Sequence, residues 1–421
     1  MFRAFRSARR KSSQFALALA LAGGAAVGTA AIAPAAMAQD YSSGFIEVYQ
    51  PTADLTQGET PDYEAARARL DAVHAAVETD DDRMAAGNLT VILGNQLDDG
   101  ALRRTGLEMM IASGKVAPEQ LGQFHFYVAS YAYNAGDYAA ARAAIEAAIA
   151  NGYVDTDTTA ANDPEFLLMK TYVGEDNPTA GLAYILGEAN KLEVAGQPVP
   201  ESWLLQGLQD AYNANLTNEA TDVSLVLLRQ NPSKQNWTNT LQVANALNEL
   251  EPSARVDLFR LMLEADAMTQ RGEYIRLVED LDPRIMGSEV ITVLDAGVAS
   301  GQLDASDPYY VEVRGIAEPR AAADRREKAA TIAEGESGDA RMALTTGDVL
   351  YSLGDYAEAE RFYETALERG FDSNTANTRI GITLVKQGDY AAAQEAFGQV
   401  SGARTPVAKL WSAYAESLAT Q

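Results

Sequence analysis

The residues able to do chemistry are few and widely spaced. The two histidines, His74 and His125, stand 51 residues apart on different expected helices, and the chain has no cysteine. A zinc site gathers four N, S or O donors into one tetrahedron, and nothing in this spacing suggests one, so both histidines read as helix-face residues. Asp155-Thr156-Asp157 begins like a calcium loop, with Asp163 further along as a candidate loose ligand. Such a loop needs glycine at its sixth place and an acidic residue at its twelfth, and those places hold Ala160 and Phe166. The stretch reads as a solvated connection, and Asp80-Asp81-Asp82 as charge placed at the positive end of a helix. No nucleophile elbow, phosphate loop, dinucleotide fingerprint or paired-histidine zinc motif occurs. Carboxylates abound, but acid–base catalysis rests on a geometry that spacing does not supply. The expectation is a chain with no catalytic residues, no metal and no cofactor.

Charge and the first residues bound the setting. Lys and Arg number 33 against 59 Asp and Glu, a formal net charge of −26. Arg3, Arg6, Arg9, Arg10 and Lys11 precede an apolar run from Phe15 to about Ile32, and Ala36-Met37-Ala38 then offers the small-x-small pattern cut by signal peptidase. This predicts a signal peptide over 1–38, cleavage between Ala38 and Gln39, a periplasmic or secreted mature chain, and a flexible lead-in over 39–60. Gly23, Gly24, Gly28 and Pro34 argue against an uncleaved anchor, and no later apolar run is long enough to predict a membrane span. The mature chain would keep 28 basic residues against 59 acidic ones, a net charge near −31. A surface so acidic repels phosphate backbones, which excludes nucleic acid as a partner. Without cysteine, stability has to come from buried apolar area rather than disulfides.

The elements that must position any site are helices. From Asp62 onward apolar residues recur at helical spacing, as in Tyr63, Leu70, Val73 and Val77, with breaks at Gly, Asn or Pro every ten to eighteen residues. No alternating strand pattern appears. Gly354-Asp355-Tyr356 and Gly388-Asp389-Tyr390 lie 34 residues apart, and Gly136-Asp137-Tyr138 is a third copy. Glycine there closes one helix in a left-handed conformation, aspartate caps the next, and tyrosine covers the turn. Ala141, Ala359 and Ala393 follow each tyrosine by three, where helices cross closely, and Ile145, Tyr363 and Phe397 come four later. Gly347 and Gly381 supply small residues in the preceding helix, and Gly272-Glu273-Tyr274 reads as a worn copy of the turn.

These residues resemble the tetratricopeptide repeat, a 34-residue helix–turn–helix unit. The resemblance is strongest over 340–401 and good over 122–155; between them Trp203 and Trp237 are again 34 apart. The stretches 99–115 and 347–351 also look similar to exported tetratricopeptide proteins of α-proteobacteria. The resemblance implies an all-α, right-handed α-solenoid in which each unit touches only its neighbours. It implies degenerate repeats over 61–318, C-terminal repeats with a capping helix over 319–421, and a groove lined by the first helix of each pair. Projecting the repeat onto this chain turns Phe126, Ser130, Tyr133 and Asn134 toward the groove, then Leu344, Asp348 and Tyr351, then Arg379, Ile382 and Lys386. Aromatic residues at those places grip a helical or extended peptide or else pack between helices.

The function implied is a non-catalytic scaffold holding another envelope or secreted protein, or a peptide segment, in envelope assembly, secretion or transport. A soluble binder of a small molecule or glycan inside the superhelix is the alternative. Leu344 and Asp348 stand where the carboxylate clamp of some tetratricopeptide cochaperones needs Lys and Asn, so that mode is not expected. Glu201-Ser202, Glu336-Ser337 and Glu416-Ser417 lack the Gly-Leu-Met-Gln stretch that follows the Glu-Ser pair of murein transglycosylases.

Overall fold

The computed structural model describes residues 40–154 and 163–420. The expected signal peptide, its Ala38–Gln39 cleavage point, and Asp155 and Asp157 lie outside the described residues. Among the described residues the chain is helical, with no strand, and no helix is long and apolar enough to cross a membrane.

The N-terminal part holds α1 (Ser43–Ala53), α2 (Tyr63–Arg67), α3 (Leu70–Ala75), α4 (Asp80–Gln96), α5 (Gly100–Ala112), α6 (Pro118–Asn134), α7 (Tyr138–Ala150), α8 (Pro164–Gly174), α9 (Pro178–Val194), α10 (Glu201–Asn213) and α11 (Thr217–Gln230). Then come α12 (Lys234–Leu247), α13 (Pro252–Glu264), α14 (Arg271–Leu281), α15 (Gly287–Ala299) and the 30-residue α16 (Pro308–Ser337). The C-terminal unit is α17 (Ala340–Ser352), α18 (Tyr356–Glu368), α19 (Ser373–Gln387), α20 (Tyr390–Gly398) and α21 (Thr405–Ala419).

The expected flexible lead-in is a docked helix. Ser42 caps α1, and Phe45, 1% exposed, stacks between Tyr41 and Tyr49. The buried Asp82 carboxylate accepts hydrogen bonds from the Ser42 N–H and hydroxyl and from the N–H groups of Glu78 and Thr79. Phe45, Tyr49 and Thr52 carry a helical stripe that Pro51 and the small polar residues around it disguise.

Hairpins α4–α5, α6–α7, α8–α9 and α10–α11 pack in sequence. Their turn residues explain why no 34-residue period runs through them. The left-handed place is held by Asp98, Gly136, Asp176 and Asn215, at spacings of 38, 40 and 39 residues. Asp and Asn tolerate that conformation better than other side chains because they bond locally. Gly354 and Gly388 hold the same place at 34. Asp137 and Asp389 accept from the N–H of Ala140 and Ala392 as caps, whereas Asp355 instead pairs with Lys328 at 2.7 Å. Gly272-Glu273-Tyr274 is not a turn: it lies in the first turn of α14, where Glu273 forms a reciprocal capping box with Gln270, and the left-handed residue before it is Asp266.

Two further expectations are corrected. The boundary set at 318/319 falls inside α16, which runs unbroken through Pro319. Units also touch far beyond their neighbours, because the chain doubles back around α16. Helices α15, α13 and α11 lie against α17, α19 and α21, in mirror order. One apolar core therefore runs from Leu228 to Ala415. The architecture remains an α-solenoid of helical hairpins, with its last part folded onto its middle. At the end of the chain Trp411 is wholly buried beside Phe397, and Tyr414 sets its edge against Trp237 at 5.4 Å.

Candidate binding groove

The groove positions of the C-terminal unit lie on α17 and α19, brought together by glycine contacts. A side chain on Gly347 would start 2.6 Å from the Tyr363 ring, and one on Gly381 would meet the Phe397 ring. These contacts seat α18 and α20 behind and leave Leu344, Asp348 and Tyr351 beside Arg379, Ile382 and Lys386. The sequence reading opened this face to a partner. Here it is filled by the chain itself, chiefly by α13. Leu344, Tyr351, Arg379 and Ile382 are buried, with Ile382 at 1% exposure.

The contact is ionic at its centre. Asp257 on α13 receives Arg404 on one oxygen at 2.7 Å and Arg260 on the other at 3.2 Å. Arg379 places its Nε 3.8 Å from Asp257 and binds Asp348 through Nη1 at 2.6 Å. Arg260 grips Glu289 of α15 with two bonds of 2.7 and 2.8 Å, and its guanidinium lies 4.2 Å over the Tyr351 ring. Three arginines thus balance three carboxylates within one buried cluster. Burial pulls the Arg260 pKa down, but Glu289 first, then Tyr351 and Asp257, outweigh it and hold the pKa well up. Burial pushes the Asp348 carboxyl up against the pull of Arg379 and Arg260.

Around this cluster the C-terminal unit also holds the α13 backbone. The Trp411 indole donates to the Asp257 carbonyl at 2.8 Å, and the Tyr414 hydroxyl to the Glu264 carbonyl at 3.1 Å. Lys386 binds the Glu264 side chain at 2.6 Å. The Glu289 N–H donates to the Ser352 hydroxyl at 2.9 Å, which ties α15 to the end of α17.

On α6 the expected residues divide. Phe126 is buried, stacked on Tyr153 at 4.4 Å. The Ser130 hydroxyl bonds back to the Phe126 carbonyl at 3.0 Å and stays half-buried. Tyr133 is half-buried with its ring against Tyr138, and Asn134 is exposed. Burial, then Tyr138 and Asp210, raise the Tyr133 hydroxyl's pKa. Nearby, Lys170 of α8 approaches the buried Asp210 of α10 at 3.5 Å. The structure thus divides the ten groove residues between two separate regions: the six C-terminal ones are buried or half-buried against the chain itself, and of the four on α6 only Asn134 is exposed.

Asp257, Arg260, Glu289 and Arg404 were missed by sequence reasoning. A signal existed: in Val256-Asp257-Leu258-Phe259-Arg260-Leu261-Met262-Leu263 six of eight residues are apolar and spread around the helix, which marks a buried helix with its two charges set in it. Charges inside such a run need partners brought from elsewhere.

The histidines stay apart. His74 shares a 2.8 Å hydrogen bond with Thr90, and burial lowers the pKa of both His74 and His125. Among the described residues no group of three or more His, Asp or Glu could hold a metal ion. Open clefts also occur among the described residues. One of about 510 Å³ is lined by Tyr212, Gln242, Asn245, Glu273 and Arg276, and one of about 550 Å³ by Lys234, Asp266, Thr269, Tyr274 and Gln302.

Comparison with known proteins agrees with this helical geometry. No curated protein matches the chain. Residues 340–369, which are α17, its turn and α18, match the family described as Tetratricopeptide repeat. That match, set in a run of helical hairpins, supports a tetratricopeptide repeat in this part of the chain, and such repeats are generally non-catalytic and bind protein or peptide partners.

Proposed function

We propose that this protein is a non-catalytic scaffold that holds another envelope or secreted protein, or a peptide segment of one, after loss of residues 1–38. The observation that carries this reading is the division of the groove residues. The C-terminal set is covered by the chain's own α13, whereas Tyr133 and Asn134 on α6 keep accessible surface. The partner therefore docks on the N-terminal hairpins. A chain with 59 acidic against 33 basic residues favours a partner whose contact face is basic.

The test is crosslinking in intact cells with recovery of the tagged protein. One dominant companion, lost on Tyr133→Ala with the fold intact, is the expected result. Recovery of a free monomer under every extraction would count against a scaffold. The cleft lined by Tyr212, Gln242, Asn245 and Arg276 supports a second reading, a binder of a small polar molecule or glycan. That reading expects a ligand-induced rise in melting temperature, and a flat response across a broad metabolite and glycan set would end it.

A further inference from the structure

The cleft of about 550 Å³ is built from helix ends. Its walls come from the last turn of α13, the connection to α14 and the last turn of α15, with Lys234 reaching in from the start of α12. It contains none of the groove residues and shares none with the cleft beside Tyr212. The floor is apolar. Met262, Met268 and Tyr274 lie buried beneath it, and Leu263 and Ala296 are half-buried at its sides. The space exists because α15 offers only methyl groups there, at Ala296 and Ala299, one turn apart. Thioether side chains adapt to what lies against them, so a floor with two methionines accepts more than one apolar outline.

The exposed rim is charged, with both signs. Lys234 and Asp266 both line the cleft and pair with each other, yet their side chains remain 68% and 66% exposed. A pair that open contributes little to stability and parts at little cost. Different ligands meet this arrangement differently. A fatty acid would satisfy Lys234 and set its own charge beside Asp266, and an apolar amine would do the reverse. A sugar would press hydroxyls against methionine and alanine with no partner for them. A molecule with an ammonium and a carboxylate on one carbon, and an apolar side chain, fits every part. Its carboxylate meets Lys234, its ammonium meets Asp266, and its side chain covers the floor. One exposed ion pair is thereby exchanged for two charge-assisted contacts, and apolar surface leaves water. A cleft of this volume is within the range of small-molecule sites.

We infer that this cleft binds a free α-amino acid with an apolar side chain, held at its charged end by Lys234 and Asp266. The site is separate from both readings of function given above, so its failure and theirs are read by different residues.

The experiment is calorimetric titration of the full-length chain with L-leucine, beside leucinamide, which lacks the carboxylate, and N-acetyl-leucine, which lacks the ammonium. L-Leucine is expected to saturate the chain with a Kd below about 1 mM, and each analogue to bind roughly tenfold or more weaker. Three variants assign the contacts. Lys234→Gln is expected to bind L-leucine and leucinamide alike. Asp266→Asn, which keeps a side chain tolerant of the left-handed backbone there (φ 52°), is expected to bind L-leucine and N-acetyl-leucine alike. Ala299→Leu, at an exposed position, is expected to fill the cleft and abolish binding. Absence of saturable L-leucine binding would overturn the inference. So would an analogue that binds the unaltered chain as tightly as L-leucine, or binding that all three variants leave unchanged. Should a variant lose its cooperative melt, the analogue comparison on the unaltered chain decides alone.

Discussion

The hairpins before α12 and those after α16 solve the same packing problem with different residues. In α4–α5 the crossing is glycine on glycine: a side chain on Gly106 would start 2.6 Å from the Gly87 carbonyl oxygen. In α17–α18 it is glycine on an aromatic ring, with Gly347 beneath Tyr363. The turns differ in degree, with Asp98, Asp176 and Asn215 beside Gly136 in one array and Gly354 and Gly388 in the other at the left-handed place. The two arrays also end differently. The C-terminal one closes its inner face over α13, and the N-terminal one leaves Tyr133 and Asn134 accessible. The difference teaches that a repeat motif specifies a hairpin without specifying whether its inner face is vacant.

The largest effect should come where the arrays meet the middle of the chain. Asp257→Ala leaves Arg404 and Arg260 buried short of a counter-charge, a loss of about 3–5 kcal/mol in urea unfolding. An effect below about 1 kcal/mol would mean that the cluster is wet and the two halves are loosely joined. Next, Gly106→Val should cost more than Gly347→Val, about 3 kcal/mol against about 1–2 kcal/mol. A side chain on Gly106 would meet backbone at 2.6 Å, whereas one on Gly347 would meet the Tyr363 ring first and backbone only at 3.2 Å. Equal costs would erase the distinction between the two crossings.

Acidification sharpens the comparison at the N-terminal end. Burial opposes ionisation of Asp82, yet hydrogen bonds from Thr79, Ser42 and Glu78 hold its folded pKa below the ordinary 3.8. Its contribution is therefore complete above the unfolded value and is lost as pH falls through the lower folded one. Hydrogen exchange in α1 should accelerate on that descent, and Asp82→Asn should make it fast already at neutral pH. The smallest effect belongs to the turns. Asn215→Gly should gain about 0.5 kcal/mol and Gly354→Ala lose about 1 kcal/mol, read as shifts of the urea midpoint.

Much of the hairpin fold was legible because Gly-Asp-Tyr joins backbone conformation, capping and packing in three residues. Where Asp or Asn took the glycine's place, the period drifted from 34 to near 39 and the turns lost their signature. The inner face was legible as a position and not as a surface. Tyr351 and Arg379 stand where the repeat puts its groove, but Asp257 and Arg404, 147 residues apart, decide what covers them. No local pattern connects residues at that distance. The docked α1 was hidden by composition, since Pro51 and the small polar residues around it hid the helical spacing of Phe45 and Tyr49.

The doubling back around α16 has a consequence for the order in which the molecule is made. A plain stack of hairpins can consolidate unit by unit as the chain lengthens, since every contact is local. Here α13 is complete as a helix long before Arg404, Trp411 and Tyr414 exist to cover it. Until then its apolar run, with Asp257 and Arg260 set in it, stays uncovered on one side, a state open to chaperone binding or misassociation. A stop a few residues before Thr405 would remove little of the chain and still deprive its middle of a lid.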